Sequence, residues 1–136
     1  MDSSKKKTES GKLMRESPHR GLEAWKKGME LVEDIYRVTK NFPEDEKYGL
    51  VSQLRRAAIS VPSNISEGAG RRTDGEFINY LSISIGSLSE LDTQIELAMR
   101  LGYLQEEKYK ELIDKIDHCK ALTFGLRKSI LNRNKK

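Results

Sequence analysis

The sequence has few of the residues that form covalent cross-links and metal sites. Its 136 residues include one cysteine, Cys119, and two histidines, His19 and His118. One cysteine cannot form an intrachain disulfide, and these three side chains cannot fill the four positions around a structural zinc ion. The sequence therefore predicts no metal site, and it contains no motif for another cofactor.

Long apolar runs are also missing from the chain. No run approaches the roughly 20 apolar residues that a membrane-spanning helix needs. Residues 1–20 contain basic residues but lack the apolar stretch of a secretory signal. We therefore expect a soluble cytoplasmic protein with no membrane partner.

Apolar residues recur every three or four positions in four stretches, and no stretch alternates as a strand does. This spacing predicts four amphipathic helices, over about residues 22–41, 44–67, 74–101 and 105–131. Their apolar stripes are, in order, Leu22, Trp25, Met29, Val32, Tyr36 and Thr39; Val51, Leu54, Ala58, Val61 and Ile65; Phe77, Leu81, Ser84, Leu88, Leu91, Ile95 and Ala98; and Tyr109, Leu112, Ile116, Cys119, Thr123, Leu126 and Ile130.

Two of the helix starts carry a local signal. Pro43 and the acidic residues after it suit a helix start, because proline fits the first turn and acids favour the positive end of the helix dipole. Thr73 and Glu76 match a capping box, in which both side chains accept from free backbone N–H groups. Pro62 lies inside helix two. It either kinks one long helix, which we favour, or marks the start of a second short helix near residues 60–63.

The net charge of +4 is distributed unevenly along the chain. Residues 1–20 carry six Lys/Arg against three Asp/Glu, and residues 127–136 carry five against none. Residues 21–126 carry fourteen Lys/Arg against eighteen Asp/Glu. The basic character therefore lies in the two ends, which either attract nucleic acid or only keep the protein soluble.

These patterns predict an all-α protein, an up-down-up-down four-helix bundle over residues 21–131. Residues 1–20 are predicted to be a disordered basic N-terminal tail, and residues 132–136 a basic C-terminal tail. Helix three has more apolar residues than one seam requires, which predicts an interface between copies of the chain. The predicted interface residues are Ile78, Ile83, Ile85, Leu97 and Met99.

Several segments resemble a known family. The run Gln53–Gly68 reads QLRRAAISVPSNISEG, and it is followed by Gly70-Arg71, by Glu76-Phe77 and by GSLSEL over Gly86–Leu91. These segments make residues 22–130 similar to the 23S rRNA intervening-sequence protein family, whose members are also called four helix bundle proteins. The resemblance implies a left-handed four-helix bundle that assembles into a homo-oligomer, commonly a pentamer. It implies no known biochemical activity.

A related group has a better defined role. The accessory proteins of diversity-generating retroelements share the bundle and the oligomer, bind nucleic acid and partner a reverse transcriptase. Through this relation, the resemblance implies RNA or DNA and a reverse transcriptase as partners, in addition to copies of the chain itself. The basic extension of residues 1–20 lies outside the resemblance.

Arginines between helices two and three form the first candidate site. Residues 68–73 contain glycines typical of phosphate loops, but no strand precedes them and the Walker lysine is missing. Arg71 and Arg72, at the start of helix three, are instead suited to bind an RNA phosphate. The alternative is a solvated turn whose arginines interact with the C-terminal dipole of helix two. The other candidate nucleic-acid-binding residues are Arg55, Arg56, Lys5, Lys6, Lys7, Arg127, Lys128, Arg133, Lys135 and Lys136.

Polar residues of helices two and three form a second candidate set. We predict a polar network that orients these helices and the subunits, with Gly86 allowing close approach. The predicted network residues are Gln53, Asn64, Glu67, Ser87 and Glu90. The alternative role is catalysis by Glu67 and Glu90, which would need a shaped pocket and a tuned carboxylate pKa. Cys119, Trp25 and Tyr36 are expected in the core, rather than as a nucleophile and base-stacking platforms.

The predicted function is a non-enzymatic oligomeric scaffold that binds RNA, another nucleic acid or a nucleic-acid-processing partner. The scarcity of His, Cys and paired-acid motifs favours this prediction over a small enzyme with an unrecognised carboxylate or arginine site. A further alternative is an adaptor that binds protein partners only.

Overall fold

The protein folds into four long helices that pack side by side. The structure, a computed structural model, describes residues 5–7, 13–15 and 17–133. The helices are α1 (Glu23–Thr39), α2 (Leu50–Ala69), α3 (Asp74–Arg100) and α4 (Glu106–Arg133). Each helix packs on the next in sequence, and α1 also packs on α4, which closes the ring. The prediction of four helices in a bundle is confirmed.

Consecutive helices run in opposite directions, because in each pair the end of one helix contacts the start of the other. Near the start of α2, the Arg55 side chain bonds to Thr39 at the end of α1. Near the end of α2, Gly68 lies against Tyr80 in the first turns of α3. At the end of α4, Arg133 pairs with Asp74 at the start of α3. The topology is therefore up-down-up-down, which short connections between neighbouring helices favour.

The core lies along the centre of the bundle. Every predicted stripe residue of α2 is buried, and so are those of α3 and α4 except three that are partly buried, Phe77, Tyr109 and Leu126. The largest fully buried side chains are Leu31, Ile35, Leu54, Val61, Ile65, Leu81, Leu88, Leu91, Ile95, Leu112, Ile116 and Ile130. Burial of a large apolar side chain contributes about 1.5 to 3 kcal/mol, so this set supplies the main driving force for folding.

The predicted stripe of the first helix is only partly right: Thr39 is buried and Leu22, Trp25 and Val32 pack against the core, but two other residues are exposed. Met29 and Tyr36 are 44% and 37% exposed, whereas the buried stripe of α1 includes Ala24, Gly28 and Leu31. The two stripes lie about 90° apart around the helix. The fully buried Leu31 and Ile35 belong to the second stripe. Because α1 carries apolar residues on two neighbouring stripes, the three-four spacing alone does not decide which one faces the core.

Gly28 illustrates this requirement. A Cβ atom at Gly28 would lie 3.3 Å from Cγ1 of Val61 and 3.4 Å from Cβ of Pro62. The absence of a side chain therefore lets α1 approach α2 at the position of the internal proline. There α2 continues as one helix through Pro62, which confirms one long helix over two separate helices, while the kink stays a prediction.

The second helix begins later than predicted. Glu44–Glu46 forms a 3-10 turn, and α2 starts only at Leu50, after Gly49 with φ −109° and ψ −111°. A carboxylate oxygen of Glu46 accepts from the Leu50 N–H at 3.1 Å, and its other oxygen accepts from the Tyr103 hydroxyl at 2.8 Å. Glu46 therefore caps α2 from the preceding 3-10 turn, and the acidic residues do not form the first turn of α2.

The segment before the bundle differs from the predicted disordered tail. Lys5–Lys7 (β1) pairs with Leu13–Arg15 (β2) as antiparallel strands, with Lys5 opposite Arg15. Strands of three residues are too short for alternation to be visible in the sequence. Pro18–Gly21 forms a 3-10 turn that packs against α2. The remaining residues of the predicted tail lie outside the described residues.

The length and the composition of the helices decide whether one of them could cross a membrane. In residues 17–133, no helix combines the length and the apolar composition that crossing a membrane demands.

Candidate nucleic-acid interface

The topology brings basic residues from three parts of the sequence to one end of the bundle. This end contains the 3-10 turn before α1, the turn between α2 and α3, and the last turns of α4. The ion pair between Arg133 and Asp74, at 2.7 Å, joins two of these segments directly. We call this region the basic end, and it comprises Arg20, Arg71, Arg72, Arg127, Lys128 and Arg133.

The two arginines of the α2–α3 turn have different surroundings. An Arg71 terminal nitrogen donates to the Glu67 carboxylate at 2.7 Å and to the Tyr80 hydroxyl at 2.6 Å. The guanidinium of Arg71 also lies over the Tyr80 ring, 4.9 Å from its centroid. Arg72 is exposed, and its side chain forms no hydrogen bond or ion pair with another described residue. Arg71 therefore links α2 to α3, and Arg72 is the cation available to a ligand.

The basic residues in the last turns of α4 also differ in whether a carboxylate neutralises them. The Nε and one terminal nitrogen of Arg133 donate to the two carboxylate oxygens of Asp74, at 2.9 and 2.7 Å. A terminal nitrogen of Arg127 donates to the Ser82 hydroxyl at 3.0 Å, so this cation lacks a carboxylate partner among the described residues. Lys128 is exposed and forms no ion pair in residues 17–133. Arg127 and Lys128 thus add to Arg72 as unneutralised charge.

Several predicted nucleic-acid-binding residues are not at this end. Arg55 and Arg56 lie in the first half of α2, and Arg56 is about 20 Å from the α2–α3 turn at 1.5 Å per helical residue. The side chains of Lys5, Lys6 and Lys7 belong to β1 and are not among the described side chains. Lys135 and Lys136 lie outside the described residues. Of the predicted residues, the basic end therefore brings together Arg71, Arg72, Arg127, Lys128 and Arg133.

Two of the five predicted network residues, Asn64 and Ser87, form part of a polar network at the α2–α3 seam. The Ser87 and Ser60 hydroxyls are 2.8 Å apart across the α2–α3 seam, and the Asn64 amide donates to the Ser60 hydroxyl at 2.9 Å. The buried Ser84 hydroxyl donates to the Val61 carbonyl at 2.8 Å. Ser60 was not predicted, because a serine in a helix has many possible partners and only the packing selects one.

The other predicted network residues lie elsewhere. Glu67 pairs with Arg71, Glu90 accepts from Gln94 on its own helix, and the exposed Gln53 side chain has no described partner. Gly86 is exposed, and a Cβ there would meet nothing within 4 Å. The close approach of α2 and α3 occurs at Gly68 instead.

The carboxylate pair considered for catalysis is not brought together. Glu67 lies beside Gly68, the residue of α2 that is next to Tyr80 of α3. Glu90 lies ten residues beyond Tyr80 on α3, which corresponds to about 15 Å along the helix axis. The described residues contain no group of three His, Cys, Asp or Glu side chains placed to hold a metal ion. Burial raises the pKa of the Cys119 thiol to about 11, which opposes formation of a nucleophilic thiolate.

The predicted interface residues of α3 fall into two groups. Ile85 is buried within the chain, and Ile78 and Met99 pack partly buried against its core. Ile83 and Leu97 are 50% and 45% exposed on the outer face of α3. The chain's own core therefore accounts for three of the five residues, and two are available to another molecule.

Aromatic residues near the basic end complete the site. Trp25 is partly buried against the core, with the His19 ring packed edge-on at 4.8 Å and Arg20 at 5.6 Å from its centroid. Burial, and then the charge of Arg20, lower the pKa of His19, so this histidine is neutral at pH 7. Tyr80 was not predicted as a partner of Arg71, since contacts across a helix turn depend on how the two helices cross.

Comparisons with known proteins agree with this architecture. The family model of the 23S rRNA-intervening sequence protein matches residues 20–125. None of the curated proteins matches the chain significantly. The chain is also similar to a solved structure from Bacteroides thetaiotaomicron VPI-5482, a protein of unknown function from the S23 ribosomal protein family. The TM-score is 0.71 at 23% sequence identity, and the match covers 77% of this chain and 95% of that chain.

Proposed function

We propose, from the premise that this chain belongs to the 23S rRNA-intervening sequence protein family, that it is a non-enzymatic scaffold that binds RNA through its basic end. The observation that carries this proposal is the placement of Arg72, Arg127 and Lys128 together at one end without carboxylate partners among the described residues. A polyanion can approach three such charges at once, whereas cations already paired with carboxylates contribute little.

The expected mode of binding is electrostatic. Cations that neutralise phosphates release counterions, and each phosphate contact on single-stranded RNA changes the slope of log affinity against log salt by about −0.7. The contacts involve the phosphate backbone, so we expect little sequence preference. The lysines of the two predicted tails would add further positive charge beyond the bundle.

Self-assembly is the second part of the proposal. Exposed Ile83 and Leu97 on the outer face of α3 support an interface with further copies of the chain. The family resemblance supports a closed homo-oligomer, with a pentamer as the expected form. Several basic ends on one particle would act at high effective concentration and raise the overall affinity. A reverse transcriptase that works on the bound nucleic acid is the partner class we propose for such a particle.

The test is RNA retention on filters across a salt series. We expect the intact protein to bind single-stranded RNA at low salt, and the Arg72→Ala/Lys128→Ala variant to bind with a salt slope smaller by about 0.7 per lost contact. Arg56→Ala is the matched control, because Arg56 is exposed and without an ion pair among the described residues but lies away from the basic end. Its salt slope should equal that of the unmodified protein.

Two results would count against the proposal. If the intact protein does not bind RNA at low salt, an adaptor for protein partners becomes the better explanation. If Arg56→Ala and the basic-end variant lose affinity equally, binding is not located at the basic end. Circular dichroism of both variants checks that the bundle is intact, which we expect because exposed arginines and lysines contribute little to stability.

A further inference from the structure

A pocket of about 320 Å³ lies at the other end of the bundle, between the end of α1 and the first turns of α2. Its lining includes Thr39, Lys40, Phe42, Glu44, Lys47 and Arg55. Three of these side chains are cationic and one is a carboxylate, so the pocket has an excess of two positive charges. An open pocket with this balance is suited to a small anion.

Arg55 is the residue that the fold holds most firmly in this pocket. Its Nε donates to the buried Thr39 hydroxyl at 3.0 Å, and that hydroxyl donates to the Ile35 carbonyl at 2.7 Å. The Tyr36 ring supports the guanidinium, whose central carbon lies 4.3 Å from the ring centroid. These contacts fix the plane of the guanidinium while its two terminal nitrogens form no hydrogen bond with described residues.

This arrangement lacks the usual partner of a partly buried arginine. Withdrawing a charge from water is costly unless an anion compensates, and guanidinium groups are usually matched by carboxylate or phosphate oxygens. Arg55 forms no ion pair within residues 17–133. Of the nearby acids, Glu46 bonds to Leu50 and Tyr103, and the exposed Glu44, which lines the pocket, forms no ion pair with Arg55.

We propose that this pocket binds a phosphate monoester, with Arg55 donating from its two terminal nitrogens and Lys40 and Lys47 neutralising the remaining charge. A monoester carries close to two negative charges near neutral pH, which equals the excess positive charge of the lining. Bidentate donation from arginine matches the geometry of phosphate oxygens. The site is independent of the basic end, because it lies at the opposite end of α2.

Arg55 has one competing explanation, a purely structural one. A cation beside the last turn of α1 stabilises that helix by interacting with its C-terminal dipole. This role needs the positive charge but not an open pocket or free terminal nitrogens. A binding measurement therefore separates the two explanations, whereas a stability measurement does not.

The experiment is a titration of the ¹⁵N-labelled full chain with inorganic phosphate and then with a 5′-phosphorylated dinucleotide, at constant ionic strength. The Arg55 Nε–H resonance and the amides around Val51 should move and saturate. The Lys40→Ala/Lys47→Ala variant changes only exposed side chains, so it should stay folded and bind about tenfold more weakly. Arg55→Gln should bind more weakly still, and Arg56→Gln, the adjacent exposed arginine, should bind as the unmodified chain does.

Three outcomes would overturn the proposal. The first is the absence of saturable shifts in the unmodified chain. The second is equal weakening by Arg55→Gln and Arg56→Gln, which would indicate screening by any surface charge. The third is equal binding of the dinucleotide with and without its 5′-phosphate, which would exclude recognition of a monoester.

Discussion

Gly68 is the residue at which α2 and α3 approach most closely. A Cβ at this position would lie 2.7 Å from Cβ of Tyr80 and 2.9 Å from Cδ1 of Phe77. Both distances are shorter than carbon atoms tolerate, and the Tyr80 Cβ cannot move without its backbone. Glycine is therefore required here by packing between helices, although it weakens the helix that contains it.

This requirement gives a matched pair of substitutions. We expect Gly68→Ala to destabilise the protein by about 1 to 3 kcal/mol, as overpacked core sites do. Gly86→Ala adds the same methyl group to an exposed helix position with nothing within 4 Å, and it should stabilise by about 0.5 to 1 kcal/mol. Urea denaturation measures both. Equal effects of the two substitutions would contradict the assigned contact at Gly68.

Thr73 is the residue that starts α3. Its hydroxyl accepts from the Glu76 N–H at 3.2 Å, which is one half of the predicted capping box. The Glu76 carboxylate accepts from the Thr73 hydroxyl at 3.4 Å instead of from a backbone N–H. Thr73→Ala should lower the free energy of unfolding by about 0.5 to 2 kcal/mol, while Thr73→Ser, which keeps the hydroxyl, should change it little. Denaturant titration tests this, and an unchanged midpoint for Thr73→Ala would show that the cap contributes nothing.

Among the elements, the connection before α2 depends on one carboxylate. The hydrogen bond from the Leu50 N–H, and then the one from the Tyr103 hydroxyl, lower the pKa of Glu46. The same bond to Glu46 raises the pKa of Tyr103. Glu46 therefore ties the start of α2 to the connection between α3 and α4, and Phe42 packs on Tyr103 beside it at 5.5 Å between ring centroids.

This connection should make stability depend on pH in a defined direction. The pKa of Glu46 is lower in the folded state, so its contribution is present above the ordinary carboxyl pKa of 4.5 and is lost as pH falls through the folded value. Glu46→Gln should therefore destabilise the protein at pH 7 and show a smaller loss of stability between pH 5 and pH 3. Thermal denaturation across this range, with the exposed Glu44→Gln as control, measures the difference. Parallel curves for Glu46→Gln and the unmodified protein would contradict the assignment.

At the scale of the whole molecule, the proposed self-assembly gives a direct prediction. Exposed Ile83 and Leu97 predict that α3 takes part in an interface between chains. We expect light scattering at micromolar concentration to give a closed oligomer, with five times the chain mass of 15.6 kDa as the expected value. Ile83→Glu/Leu97→Glu should shift the mass towards the monomer, whereas Phe124→Glu on the exposed face of α4 should not. A mass of 15.6 kDa for the unmodified protein would contradict this prediction.

The sequence by itself determined the four helices and most of the core. Apolar residues at steps of three and four are sufficient to predict the buried faces of α2, α3 and α4, because on each of these helices the residues at those steps are buried or partly buried. The cap at Thr73 was predictable for a similar reason, since the four residues that form it are adjacent in the chain.

Only the tertiary structure decided how these helices meet and which charges are free. In the sequence, Glu67 four residues before Arg71 is what distinguishes the two arginines. It does not show that Arg71 also bonds to Tyr80 nine residues away, or that Arg72 is without a partner among the described residues. The buried face of α1 was not decided by the sequence either, because two neighbouring apolar stripes fit the same spacing and the close contact of Gly28 with Val61 and Pro62 depends on packing. Local patterns determine helices through contacts within a few residues, whereas the basic end and the Arg55 pocket depend on the packing of separate helices.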